Sequence, residues 1–283
     1  FIPGLGTTHH VRAHEFPEQP HEVMLDLYQS ELDEAMINHS YVMEQRSVHT
    51  QVAIGAEIGM SQSGVKDWQL GRRDPRILNS NLVRAGAPGL IPATEGLMRL
   101  LGYYTAEGST TQYATTFTFG LHEKDLHDDC AALIRDIFKL EPRLLPIPET
   151  NSFRIVISSP FVSALFERQC GNGSHEKHIP EMLWDLPKPL FLAYLQGYSR
   201  GDGYTTQDGK LSMTSVSQQL IRELAWLSAM HGIQAGVRTQ DILAGRIIRP
   251  GSKPTPATTM WNLIIGKTAH PFVPFHGTES QFK

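Results

Sequence analysis

A chain of 283 residues, 40% hydrophobic and 19% charged, has the composition of a folded protein with room for two compact domains. No run approaches the ~20 apolar residues of a membrane helix, and the first residues lack a basic-then-apolar export pattern, so an intracellular protein is expected, in cytoplasm, nucleoid or an organelle. A net charge of −4 excludes a uniformly basic nucleic-acid binder, although a local basic face remains open.

Residues 1–20 are rich in Gly, Pro and His and read as extended. His9, His10 and His14 have no second ligand cluster to close a metal site, so they read as an exposed tract. From Pro20, the apolar residues Met24, Leu27, Leu32, Ala35 and Met36 recur at short intervals among acids. They predict one amphipathic helix to about Glu44. Residues 1–46 hold eight acids and two bases; subtracting these from the totals of 29 and 25 leaves 21 acids and 23 bases from residue 47 onward. The rest of the chain is therefore slightly basic.

Residues 47–76 predict two short helices. Val52, Ala53 and Ile58 supply the apolar face of the first, Gly59 permits a tight turn, and Ser61 is a natural N-cap for the second, which carries Val65 and Trp68. Gly71 ends that helix and Pro75 blocks its continuation. The arrangement resembles a helix-turn-helix of the phage-repressor type, whose second helix enters the major groove. Gln62, Ser63 and Lys66 would then face bases or phosphates, and Arg72, Arg73 and Arg76 would grip the backbone.

From about Ile91 the chain carries a weak internal duplication. Residues 100–108 read LLGYYTAEG and residues 195–203 read LQGYSRGDG, which places Glu107 and Asp202 in register 95 positions apart. Each motif closes an apolar helical stretch, for which Thr94 and Pro189 are suitable starts. Gly102 with Ala106, and Gly197 with Gly201, lie four apart on one helical face, so two such helices can approach closely. Each acid is followed by glycine, a suitable left-handed terminator. Side-by-side helices would deliver two carboxylates to one point at the negative ends of both helix dipoles, an arrangement that calls for a cation with oxygen ligands such as Mg²⁺.

Further signals follow in the same order after each motif. An alternating strand is predicted over 112–119, with Tyr113, Phe117 and Phe119 on one face and Gln112, Thr116 and Thr118 on the other. A helix at 128–139, strands near 144–147 and 153–157, and a helix at 161–169 complete the first half. The second half repeats the pattern: strand 211–216, helix 218–230, strands near 235–239 and 260–265. Between them lies GNGSHEKHIPEMLW, from Gly171 to Trp184. A basic loop, 242–258, with Arg246, Arg249 and Lys253 among Gly and Pro, interrupts the second sheet; by the resemblance given next, it would lie against a DNA backbone. Cys130 and Cys170 are too few for a disulfide framework and read as buried thiols.

The paired motifs resemble the LAGLIDADG signature of homing endonucleases in their single-chain, two-motif form, over roughly residues 91–270. The Gly-rich segment is similar to one found after the first repeat in intein-type members, where a lysine reaches the active centre; the matching residue is Lys177. That resemblance implies an α+β fold of two pseudo-symmetric αββαββα halves whose sheets form a saddle over double-stranded DNA. It also implies a divalent cation, Mg²⁺ or another, held by Glu107 and Asp202 with the main-chain carbonyls of Ala106 and Gly201. Lys177 would stabilise charge on the phosphate, and both strands would be cut across the minor groove. Base readout would come from Gln112, Thr116 and Thr118 of one sheet and Gln234, Arg238 and Gln240 of the other.

The expected organisation is an extended segment and acidic helix (1–46), a helix-turn-helix module (47–90), a first half (91–188) and a second half (189–283), in a monomer with internal pseudo-two-fold symmetry and no membrane association. Intein splicing needs a nucleophile first and Asn last; Phe1 and Lys283 supply neither, so no splicing is expected of this chain. The competing readings are a non-cleaving transcription regulator on the same scaffold and an RNA maturase.

Overall fold

The computed structural model describes residues 24–26, 29–73, 90–245 and 256–267. The histidine tract and Arg76, Arg246, Arg249 and Lys253 lie outside the described residues. Among the described residues no helix is long and apolar enough to cross a membrane. They divide into two compact units, one of residues 24–91 with 136–140 and the other of residues 92–135 with those from 141 onward.

The smaller unit begins with strand β1 (Met24–Asp26) and helix α1 (Gln29–Glu44). The helix therefore starts later than the apolar spacing predicts, and Met24 belongs to a strand that pairs with β2 (Leu90–Pro92). Two short helices follow, α2 (Gln51–Glu57) and α3 (Gln62–Gln69). Thr50 and Ser61 cap them, each side chain accepting a hydrogen bond from the backbone N–H three residues on, at 3.3 Å. Gly59 and Gly71 take positive φ at the ends of the two helices, as expected. Val42, Ile54, Val65 and Trp68 form the core. The apolar face of α2 is thus set by Ile54; Val52 is 60% exposed and Ala53 also points to solvent, which corrects the predicted face by one position.

The larger unit repeats one pattern twice. Helix α4 (Glu95–Glu107) runs into hairpin β3 (Gly108–Thr111) and β4 (Ala114–Gly120), then α5 (Lys124–Phe138), β5 (Arg143–Ile147), β6 (Ser152–Ile157) and α6 (Pro160–Cys170). Helix α7 (Lys188–Asp202) then leads to β7 (Gly203–Thr205), β8 (Leu211–Ser215), α8 (Gln218–Met230), β9 (Ala235–Ile242) and β10 (Thr258–Ile265). The two four-stranded sheets have the same order, β3-β4-β6-β5 and β7-β8-β10-β9, and the strand pairs are antiparallel. The fold is α+β with an internal repeat.

Alternation along the strands fixes which face each sheet buries. Thr115, Phe117, Phe119, Ile155 and Ile157 face inward in the first, and Leu211, Met213, Leu263 and Ile265 in the second. Phe117, Tyr104 and Phe166 form an aromatic cluster with centroid separations of 4.7–6.2 Å, and His127 stacks on Phe153 at 3.9 Å. Burying each such large side chain contributes roughly 1.5–3 kcal/mol. Cys130 and Cys170 are buried free thiols, as expected.

Candidate active site

The site begins with glycine. A methyl group built on Gly102 would stand 2.3 Å from the Tyr194 carbonyl oxygen, and one on Gly197 would stand 2.1 Å from that of Arg99. The backbones of α4 and α7 therefore cross in direct contact, closer than any side chain at these positions permits. One turn further on, a methyl on Gly201 would meet the Ala106 Cβ at 2.6 Å and Glu107 Cγ at 3.0 Å, with Glu107 Oε1 at 3.7 Å. Gly201 immediately precedes Asp202. The crossing thus brings the last residues of both helices, Ala106–Glu107 and Gly201–Asp202, to one place.

The glycines after the acids do not act as left-handed terminators. Gly108 and Gly203 have φ of −95° and −105° with extended ψ, because each helix runs straight into a strand. Their need is steric: a methyl on Gly108 would stand 2.5 Å from the Tyr104 carbonyl oxygen, and one on Gly203 would stand 2.3 Å from that of Ser199. Helix α4 starts at the Thr94 cap as expected, whereas α7 starts at Lys188, one residue before Pro189.

Burial dominates the electrostatics. It pushes the Glu107 carboxyl up to about 7, with the nearby Glu123 carboxylate adding to the rise. It pushes Asp202 higher, to about 8, where repulsion from Glu107 adds to burial and Lys177 opposes it. Two carboxyls so placed resist joint ionisation near neutral pH unless a cation neutralises them. Among the described residues no group of three or more His, Cys, Asp or Glu side chains forms a metal cluster. A cation here would have two carboxylates and would complete its shell with main-chain carbonyls, water or a ligand's own oxygens, a donor set that suits Mg²⁺.

Lys177 joins this centre. It is 5% exposed, donates from Nζ to the Tyr104 carbonyl oxygen at 2.8 Å, and lies 3.5 Å from the Tyr104 ring centroid. Burial lowers its pKa to about 8, against the opposing pull of Cys170 and Asp202. Its loop is tied to both repeats. Asn172 exchanges two hydrogen bonds with the backbone of Thr110, Ser217 Oγ donates to the Lys177 carbonyl at 2.6 Å, and Ile179 N donates to Glu223. Lys267, which follows the last strand of the second repeat, lays its side chain against Gly209 in the β7–β8 turn.

The repeat is broken on the flanks of the helix seam. On one side Tyr194 donates to Thr105 Oγ1 at 2.9 Å. On the other, at the equivalent positions, Arg99 forks onto Asp129 with two bonds of 2.9 Å, Tyr103 donates to the same carboxylate at 2.7 Å, and Arg200 reaches Tyr103 and Asp125. No sequence pattern announces this network, since bonded partners in it lie up to 97 residues apart.

The sheet faces away from the helices carry most of the expected readout residues. Thr116 and Thr118 are on the open face of β4, and Arg238 and Gln240 on that of β9. Gln112 is not on a strand: it occupies the two-residue turn of the β3–β4 hairpin with Tyr113, braced by Thr111 Oγ1. Gln234 lies in the short link just before β9. The same open faces hold residues that the sequence reading overlooked. Arg154 is paired with Thr118 and Leu145, and Arg143 with Val156, so both arginines share the face of Thr116 and Thr118; Asn262 lies between Thr214 and Arg238. Alternation around Phe153 and Ile155 is the signal that finds Arg154.

In the smaller unit, Gln62, Ser63 and Lys66 lie on the exposed side of α3, and Arg72 and Arg73 are exposed just beyond it. Gln51 donates to Gln69 at 3.0 Å and ties α2 to α3.

No family model matches the chain. Among curated proteins it is similar to a DNA polymerase of Thermococcus kodakarensis, 26% identical over 212 residues, which are 74% of this chain and 12% of the polymerase. It is likewise 26% identical to the ATP-dependent DNA helicase Hel308 of the same organism, over 55% of this chain and 15% of the helicase. The chain spans only 8–17% of the length of the curated relatives it matches first. Among solved structures, one of the homing endonuclease I-DmoI aligns over 65% of this chain and 93% of its own, at 13% identity and a TM-score of 0.45.

Proposed function

We propose that this chain is a LAGLIDADG-type homing endonuclease that binds double-stranded DNA on the open faces of its two sheets and cuts both strands at one metal-dependent centre. The observation that carries this reading is the backbone crossing at Gly102 and Gly197, which brings two half-buried carboxyls together beside a buried lysine. Such a centre is costly to fold and has no structural use for paired like charges; a cation and a phosphodiester account for it.

The roles follow from chemistry. Glu107 and Asp202, with the carbonyls of Ala106 and Gly201, would hold a divalent cation, which supplies Lewis-acid stabilisation of phosphate charge and lowers the pKa of bound water. Lys177, pinned by Tyr104, presents a poorly solvated positive charge where the phosphate gains negative charge. Thr116, Thr118, Arg143, Arg154, Arg238, Gln240 and Asn262 would read or grip the duplex, with Gln112 in the adjoining turn and Gln234 in the link before β9. Arg246, Arg249 and Lys253 would add backbone contacts. In the smaller unit, α2 and α3 would act as a helix-turn-helix that lengthens the bound site, through Gln62, Ser63, Lys66, Arg72, Arg73 and Arg76.

The similarities to known proteins support the homing part of this reading. A polymerase and a helicase perform different chemistry, yet each resembles this chain over about an eighth of its length. What they share with it is therefore not what makes one a polymerase and the other a helicase. An element inserted into both, carrying its own endonuclease, fits that pattern. Incubation with a randomised duplex library and Mg²⁺, followed by sequencing of cut ends, tests the proposal. Ends sharing one long motif and a fixed short 3′ overhang are expected; a motif recovered from bound but uncut duplexes would mark a DNA-binding regulator instead.

A further inference from the structure

The two sheets differ beside the acids. In the second, Gly203 pairs with Met213 and Thr205 with Leu211, which are in register with the inward-facing Leu263 and Ile265. The side chain of Tyr204, between them, must therefore point to the open face, where it is 49% exposed. It stands two residues past Asp202. Its cross-strand partner is Ser212, which is buried, with the half-buried Ile264 beyond it on the same face; in the next row Thr214 and Asn262 are small and polar and bonded to each other at 2.6 Å. Among the described residues nothing holds the Tyr204 hydroxyl. At the equivalent place in the first sheet, two residues past Glu107, is Ser109, opposite Thr116. One side of the centre thus presents an upright aromatic ring and the other a hydroxymethyl group.

We propose that Tyr204 is a specificity-determining wedge that engages one base step beside the cut, so that the two sides of the target's centre are read unequally. The proposal rests on the reading of Glu107 and Asp202 as a DNA-cutting centre, since it is that centre which brings duplex DNA against Tyr204. A flat, largely apolar ring at a groove floor gains most by stacking on an exposed base or sugar, and this requires partial unstacking of a step. Pyrimidine–purine steps unstack most readily, so the ring selects them by deformation energy, without reading base edges. Ser109 has no surface with which to do the same on the other side.

The test is to profile cut sequences from one duplex library for the wild type, Tyr204→Phe and Tyr204→Ser. The wild type is expected to favour a pyrimidine–purine step on one side of the centre only. Tyr204→Phe keeps the preference, because the ring is retained. Tyr204→Ser makes both sides alike and loses roughly tenfold discrimination at that step, the scale of one base–aromatic stack, while the flanking motif and cut positions stay the same. A Tyr204→Ser variant with an unchanged central preference, or a wild type with equal preferences on both sides, overturns the wedge. If the wild type binds a motif without cutting, the nuclease reading fails by itself. In that event 2-aminopurine at the central step still decides Tyr204: fluorescence that rises with wild type and not with Tyr204→Ser upholds the wedge, and equal signals overturn it. A wild type that binds no duplex overturns both.

Discussion

The Cα of Gly197 faces the carbonyl oxygen of Arg99 so closely that a methyl group added to it would stand 2.1 Å from that oxygen. Because the obstacle is backbone, it cannot rotate away, and α4 and α7 would have to separate. Gly197→Ala and Gly102→Ala are each expected to cost about 1–3 kcal/mol, the usual range for overpacking, and to lower Tm by roughly 2–12 °C. Thermal unfolding measures this, and unchanged transitions would show that the helices do not meet there. The same separation moves Glu107 away from Asp202, so any cleavage should fall more than stability does.

The raised carboxyls set a sign for pH dependence. Glu107 titrates at about 7 and Asp202 at about 8 in the folded chain, against ordinary values of 4.5 and 3.8, so the folded state binds more protons than the unfolded state between about pH 4 and 8. Stability without a divalent cation is therefore fully present below about pH 4 as far as these groups are concerned, and is lost as pH rises toward 8. Lys177, depressed to about 8, is charged in both states below about pH 7 and adds no slope there; nearer pH 8 it releases its proton only in the folded chain, which offsets part of the loss. Added Mg²⁺ should restore Tm more at pH 8 than at pH 6, with protons released on binding. Equal effects at both pH values would contradict a carboxylate site.

Lys177 contacts the Tyr104 carbonyl and ring and is buried next to Asp202, so its charge has little water to screen it. Lys177→Met keeps most of the stem and removes the charge. Single-turnover cleavage is expected to slow by roughly 10²-fold or more, as for loss of one preorganised electrostatic group, with duplex affinity little changed. An unaltered rate would leave Lys177 as a packing residue that links Tyr104 to the Ser217 side of its loop.

Arg72 and Arg73 are exposed immediately after α3. Phosphate contacts position a protein without reading sequence. Reversing both charges to Glu should weaken binding and flatten its salt dependence, while the cut position and the selected motif of the core stay fixed. Footprinting on one duplex decides the matter: a footprint and affinity identical to wild type would remove the smaller unit from the DNA interface.

Much of the fold was legible because local signals agreed. The order of elements after each motif placed the 218–230 helix, and the two Gly-Tyr motifs placed the helix seam with its acids. What escaped the sequence has physical reasons. The β3–β4 turn consists of Gln112 and Tyr113, without the Gly, Asn or Asp that marks most two-residue turns, so alternation reads straight through it. Gly108 and Gly203 looked like left-handed caps because sequence shows only that a side chain is absent; here its absence clears a carbonyl oxygen. The face of α2 slipped by one residue because seven residues hold too few apolar positions to fix a phase. The Arg99–Asp129–Tyr103–Arg200 network joins three helices through tertiary contact alone, which leaves no periodic trace.

The most direct measurement compares wild type, Glu107→Gln, Asp202→Asn and the double variant on one selected duplex with Mg²⁺, following both strands separately and binding in parallel. Both substitutions preserve shape and remove a cation ligand, so binding should remain within a few-fold of wild type. Each single variant should lose double-strand cleavage, and the double variant should cut neither strand. Full cleavage by the double variant would contradict the account, because it would place the chemistry somewhere other than the crossing of α4 and α7.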